Sequence, residues 1–357
     1  MKKLAVLLAL CLLLTGCVDW MDGEYHSTTP HRVKNQPGDS SIPAVSNLSQ
    51  LQKELSTIVE SGVQEKLVSV QNYSAEQLDA DMQQAISYIR STHPIGAYAV
   101  DAISYELGSS GGVQAAAITV QYSRNPDELR SIKRALNMNE VQENIGQALD
   151  QCDSGLVIRV RSYSELDFAQ FVEDYMQEHP SFVMELPQVT VTAYPETGKD
   201  RVLDIRFVYQ NSRETLRQMQ RYVQPVLTSA GLYVSSEEES PAVKYARLYT
   251  FLMERNDYKQ ETSITPTYSL LRHGVGDSKA FAVVYARMCR EAGLECLVVT
   301  GTHNSEARFW NIICEDGVYY HVDLLSPKGF VRYSDKQLAG YVWDYSAYPA
   351  CGEQAAE

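Results

Sequence analysis

The chain has 357 residues, 44% hydrophobic and 21% charged, with 45 Asp+Glu against 31 Lys+Arg for a net charge of −14. That length is enough for two or three compact domains. The acidic excess, with no basic stripe anywhere along the chain, argues against nucleic acid as a partner and suits a soluble body held off an anionic surface.

The first segment reads as an address. MKKLAVLLALCLLLTGC joins two lysines, an apolar run from Leu4 to Leu14 and a small-residue close, the layout of a secretory signal. Its eleven apolar residues fall short of the about 20 needed to cross a bilayer. Leu14-Thr15-Gly16-Cys17 resembles the lipobox of bacterial lipoproteins. The resemblance implies a signal peptide at 1–16, lipid on Cys17 and a protein anchored to the cell membrane on its extracytoplasmic face; an ordinary secreted protein is the alternative. Residues 17–46, polar with scattered Pro, Ser and Thr, read as the lipidated cysteine and a flexible stalk.

Two related stretches follow. LVSVQNYS (67–74) matches VIRVRSYS (157–164), 90 residues later. Each reads as a strand whose closing Ser, Ser74 or Ser164, is placed to cap a helix. Each of those helices runs to a His-Pro pair, His93-Pro94 or His179-Pro180. There Pro stops the helix and His favours the C-terminal dipole. Strand pairs are expected at Ala99–Leu107 with Ala115–Tyr122, and at Gln188–Tyr194 with Val202–Tyr209. Each pair is closed by a helix carrying Tyr-x6-Leu-Arg, at Tyr122 to Arg130 and Tyr209 to Arg217. With a helix ahead of each, near 47–61 and 138–151, the pattern is α-β-α-β-β-α twice. Two tandem α/β sandwich modules are expected, at 47–136 and 137–232.

From 238 to 351 the pattern changes. After a helix over Tyr245–Glu254 comes HGVGDSKAFAVVYARMCREAG (273–293). Asp277 caps a helix that starts at Ser278. Phe281, Val284, Tyr285, Met288 and Cys289 form one apolar face, and Gly293 ends it. Three strands follow, Cys296–Gly301, Arg308–Cys314 and Val318–Leu324, the last two joined by Asp316-Gly317, a strong hairpin signal. That turn sets Glu315 opposite Val318, Cys314 opposite Tyr319, Ile312 opposite His321 and Trp310 opposite Asp323. Arg308 then lies diagonal to Asp323 on one face, within reach of a long side chain. Cys152, Cys289, Cys296, Cys314 and Cys351 match no zinc signature, so no metal is expected. Cys296 and Cys314 lie near the ends of neighbouring strands, where a disulfide is one outcome.

These motifs resemble the transglutaminase-like family, which shares the papain-type core. SKAFAVVYARMCREAGLEC stands where that family has its Cys-bearing helix, RFWNII where it has His-Ala-Trp, and YYHVDLL matches its Asp strand. SDKQLAGYVWDYSAYPACG is similar to the tails of bacterial surface lipoproteins of the family. The resemblance implies an α+β chain: a C-terminal helix packed on an antiparallel sheet, preceded by the two α/β modules. It places the nucleophile position at Ser278, the base position at Arg308 and the orienting position at Asp323.

Two of those three positions have lost their chemistry. A helix N-terminus and an adjacent imidazole favour a cysteine thiolate, whereas a serine hydroxyl depends on a general base. Arg308 cannot be that base, because guanidinium stays protonated and has no acceptor. It can instead grip Asp323 in a bidentate fork. The expected function is a surface lipoprotein with a non-catalytic domain that binds or scaffolds peptide, cell-wall or protein ligands, with no cofactor. Trp310 is a candidate wall of the ligand cleft. One alternative is an active hydrolase or acyl transferase in which Ser278 borrows a displaced base, His321 or His303. The other is a purely structural envelope protein.

Overall fold

The computed structural model describes residues 42–352 except 111 and 235–238. The expected signal peptide at 1–16, the expected lipid site Cys17 and the residues up to 41 expected as a stalk lie outside the described residues. Within them, no helix is long and apolar enough to cross a membrane.

The chain is a mix of helix and sheet built around three successive sheets. The first region runs through α1 (Leu48–Ser61), β1 (Glu65–Ser69), α2 (Ala75–Ser91), α3 (Pro94–Ala99), β2 (Val100–Ser110), β3 (Val113–Tyr122) and α4 (Pro126–Arg130). Its strands lie in the order β1-β3-β2, all antiparallel. Asn47 caps α1 by accepting from the Gln50 amide, and Leu51, Leu55, Ile58 and Val59 on one helical face meet Val68, Ile118 and Val120 of the sheet.

The second region runs through β4 (Lys133–Asn137), α5 (Met138–Asp150), β5 (Gly155–Ser162), α6 (Phe168–Glu178), β6 (Gln188–Tyr194) and β7 (Arg201–Val208). Its order is β4-β5-β7-β6, with β4 parallel to β5 and the rest antiparallel. Val141, Ile145 and Leu149 of α5 and Val172 of α6 pack on Ile158, Val160, Leu203 and Ile205. The other sheet face meets the first region. Val202 is buried in that core, and Arg159 forks onto Asp200 at 2.9 and 2.8 Å while reaching Glu60 of α1 at 2.8 Å.

Several local expectations change. Residues 43–45, expected as part of a stalk, are held to the sheet, because Val45 N–H donates to Ser69 O and Ser69 N–H to Pro43 O, laying Ala44 parallel against β1. His93 does not end α2. Its Nδ1 accepts from the Gly96 amide at 3.2 Å, so with Pro94 in the first turn it starts α3, while His179 does end α6. Ser164 is not a cap, since Asp167 takes that place by accepting from Gln170 N–H. The helix after Tyr122 is a single turn with no buried residue, unlike its 21-residue counterpart α7 (Arg213–Tyr233).

The third region contains α8 (Pro241–Met253), the two-residue pair β8 (Asp257–Tyr258) and β9 (Val275–Gly276), α9 (Ser278–Glu291), β10 (Cys296–His303), β11 (Glu306–Glu315), β12 (Val318–Val322) and β13 (Tyr341–Trp343). The sheet is antiparallel in the order β12-β11-β10-β13. The hairpin has Glu315 facing Val318, Cys314 facing Tyr319 and Ile312 facing His321; Asp316 and Gly317 both take positive φ, 51° and 80°. Cys296 faces Ile313, so alternation turns Cys314 to the other side of the sheet, and all five described cysteines are free.

α9 is buried well beyond the single face expected, from Ala280 through Ala286 and at Met288 and Cys289. The sheet covers one side. Leu216, Val223, Leu227 and Ala230 of α7 and Tyr245, Leu248 and Leu252 of α8 join it in one core on the other. α7 comes so close that a Cβ on Gly231 would lie 2.5 Å from the Glu291 carbonyl oxygen.

Candidate functional site

The site lies where the N-terminus of α9 meets the ends of β10 and β11. Asp277 accepts from the Ala280 amide at 2.8 Å and from the Thr262 hydroxyl at 2.6 Å, so the helix starts in a fixed place. Ser278 follows, buried and at the positive end of the 14-residue helix. Its Oγ accepts from the Phe309 amide at 3.3 Å, the one hydrogen bond this hydroxyl makes among the described residues. That amide points toward the β12 side of β11, beyond the last β12 pair at Asn311 and Val322. Ser278, Arg308 and His303 line one cleft of about 450 Å³, together with Tyr258, Lys279 and Phe309.

Arg308 holds Asp323 in a two-nitrogen fork. Nε lies 3.0 Å from Oδ2, and Nη2 lies 2.9 Å from Oδ1 and 2.7 Å from Oδ2. Asp323 is 2% exposed at its side chain and Arg308 15%, so the pair is largely out of water. The carboxylate also accepts the Tyr341 hydroxyl at 2.5 Å and the Leu325 amide at 2.9 Å. Burial and then the Asp323 carboxylate drive the Tyr341 phenol far above its ordinary pKa, so it donates and does not ionise. Tyr341 was not among the expected site residues. Its only sequence signal is its place in the aromatic tail, 18 residues from Asp323.

Neither histidine is hydrogen-bonded to Ser278. His321 is fully buried. Its Nδ1 is 2.9 Å from Trp310 Nε1, and its Nε2 is 2.9 Å from an Asp335 oxygen. An indole nitrogen only donates, so Nδ1 must carry the lone pair and Nε2 the hydrogen that goes to Asp335. Both nitrogens are committed, and His321 is therefore not a surrogate base. Burial lowers its pKa, with Asp335 opposing, so the ring is held toward neutrality. His303 does face the cleft, with its ring stacked on Tyr341 at 4.1 Å and Nε2 3.2 Å from Asn304 Nδ2.

Trp310 is not a cleft wall. It is fully buried, with Leu338, Trp343 and Cys351 in the core on the sheet face away from α9. Alternation along β11 puts it on the Arg308 face, but β13 and the tail cover it.

His321, Asp335 and Cys351 bring three ligand-type atoms within 4.8 Å of one another. The tautomer imposed by Trp310 places a hydrogen on the nitrogen that a metal would need, and burial pushes the Cys351 thiol up to about 12. The donor set therefore does not fit a metal ion.

A model of the transglutaminase-like superfamily matches residues 230–333. No curated protein matches the sequence. Among solved structures, a protein described as a TGase is 11% identical, with 66% of this chain and 68% of that one covered and a TM-score of 0.27. A candidate cysteine protease from Cytophaga hutchinsonii is 13% identical over 44% of this chain and 70% of its own, with a TM-score of 0.25. A candidate protease from Parabacteroides distasonis is 10% identical over 58% and 45%, with a TM-score of 0.24. The C-terminal region of this chain is a transglutaminase-like domain.

Proposed function

We propose that the transglutaminase-like domain of this chain is a binding module that has kept the architecture of an acyl-transfer site without its chemistry. The observation that carries this is the Arg308–Asp323 fork. At the position where the family places its base stands a cation with no acceptor, and Ser278 has a backbone amide rather than an imidazole at its hydroxyl. The cleft remains open beside them and suits a peptide, cell-wall or protein ligand. We place the protein on the extracytoplasmic face of the cell membrane, held by lipid on Cys17. The regions 47–136 and 137–232 would be copies of one α/β module that carry or present the domain at 238–351. Their common strand order, β1-β3-β2 and β5-β7-β6, supports that duplication, as does Ala44 occupying beside β1 the place β4 occupies beside β5.

The test is to restore both positions. Ser278→Cys with Arg308→His is expected to gain amide-directed activity that neither single variant has. A hydrolase or acyl-transferase activity in the unmodified protein that disappears in Ser278→Ala would overturn the reading. His303 supports the active alternative, because it shares the cleft with Ser278. In that case His303→Ala would abolish the same activity.

A further inference from the structure

A groove of about 580 Å³ adjoins the cleft, and Phe309 lines both. One wall is the first half of β10. There the sheet has no neighbouring strand among the described residues, because β13 pairs only with Gly301 to His303. Thr300 N–H donates to the Tyr348 hydroxyl, and Asn304 N–H to Gly340 O, on the side away from β11. Antiparallel alternation then turns the Val298 N–H and C=O to that same open side. Val298 and Thr300 line the groove. The stretch Cys296–Val299, short of the Thr300 amide that Tyr348 already takes, spans roughly 13 Å at about 3.3 Å per residue, and sheet edges of this kind accept an added strand unless something covers them.

The opposite wall is α6, from the second region. Gln170, Glu173, Asp174, Gln177 and Glu178 all line the groove, and their spacing is that of a single helical face. Lys279 bonds Glu173 at 2.6 Å and Arg290 donates to the Glu178 carbonyl at 3.0 Å, tying α6 to both ends of α9. The carboxylates of Asp174 and Glu178 take part in no ion pair among the described residues, and both residues are exposed. One side of the groove thus offers unpaired backbone groups at Cys296 and Val298, and the other offers an excess of negative charge, Glu173, Asp174 and Glu178 against Arg290.

We propose that this groove binds an extended, positively charged peptide as an added strand on β10, its ammonium or guanidinium groups against Asp174 and Glu178 and its end passing Phe309 into the Ser278 cleft. The proposal rests on reading that cleft as a place where ligand sits. The backbone edge supplies register and the acidic helix supplies selectivity by charge.

The experiment measures fluorescence anisotropy of the full chain with two labelled pentapeptides, Ala-Lys-Ala-Lys-Ala and Ala-Glu-Ala-Glu-Ala, both capped. The lysine peptide is expected to bind and the glutamate peptide not to. Asp174→Lys with Glu178→Lys should weaken the lysine peptide by about tenfold or more. On the unmodified protein, N-methylating alternate amides of the lysine peptide should weaken it comparably in one of the two registers, independently of any effect of the variants on folding. Equal binding of both peptides, binding insensitive to N-methylation in either register, or no binding of either peptide would overturn the proposal. A lysine peptide that binds with these dependences and is also cleaved supports the groove and sinks only the non-catalytic reading.

Discussion

Two basic–acidic pairs sit on one face of the C-terminal sheet, and they behave differently. Arg308–Asp323 lies at the cleft, and His321–Asp335 lies two residues deeper along the strands. The second has the composition of an acyl-transfer dyad, an imidazole steadied by a carboxylate. It is inert toward Ser278 because its remaining nitrogen receives the Trp310 indole hydrogen. The first, at the position where the proposed reading puts a lost base, carries a group with no lone pair. A carboxylate beside a ring does not make a base. What matters is a second nitrogen that is unprotonated and facing the nucleophile.

The sharpest way to break the contrast is to unmake each pair. Arg308→Ala leaves Asp323 buried without its cation and is expected to cost about 3–5 kcal/mol in urea unfolding. A loss below roughly 1 kcal/mol would mean that Tyr341 and the Leu325 amide suffice for the carboxylate. Trp310→Phe keeps most of the ring volume but strands His321 Nδ1, at about 2 kcal/mol. It also frees the tautomer, which nitrogen chemical shifts of the imidazole would report by a change from hydrogen on Nε2 to a mixture.

The deep pair should also show in the pH dependence of stability. Burial depresses the folded-state pKa of His321, and that of His93 in the first region. As pH falls below the ordinary histidine value of about 6.5, the unfolded chain takes up protons that the native state refuses. Stability is therefore whole above that value and declines below it toward the depressed folded values. His321→Gln and His93→Gln should each remove part of the decline. A slope unchanged in both variants would assign it to other groups. Tyr341→Phe should cost about 2 kcal/mol from one lost hydrogen bond to the Asp323 carboxylate, and the smallest expected effect, under about 1 kcal/mol, belongs to Lys279→Ala, because the Glu173 side chain is 39% exposed.

The hairpin, the capped start of α9 and the Arg308–Asp323 pairing were legible in the sequence because each depends on a short span. Asp316-Gly317 dictates the register, the register puts Arg308 on Asp323's face, and Asp277 marks the helix start. The burial of Trp310 was not legible. Alternation tells which face a residue takes but not that β13, over 30 residues later, will cover it. For the same reason His321 looked available, since its commitment depends on Trp310 from a neighbouring strand and Asp335 from a distant loop. Tyr341 escaped notice because it reaches Asp323 from β13. A helix after Tyr209 was legible from its Tyr-x6-Leu-Arg motif, but not that its apolar stripe would join the core around α9.

That stripe has a practical consequence. Similarity to the family begins at residue 230, whereas the core that α9 shares takes in Leu216, Val223 and Leu227 of α7, and Cys152 and Met184 before them. A fragment starting at 230 would keep every motif of the site and strip the back of its central helix, exposing Val284, Met288 and Cys289 or their neighbours to water. What homology would cut as a domain, folding treats as the open half of a larger body, and the smallest piece able to hold the cleft in shape starts at Arg213 or earlier.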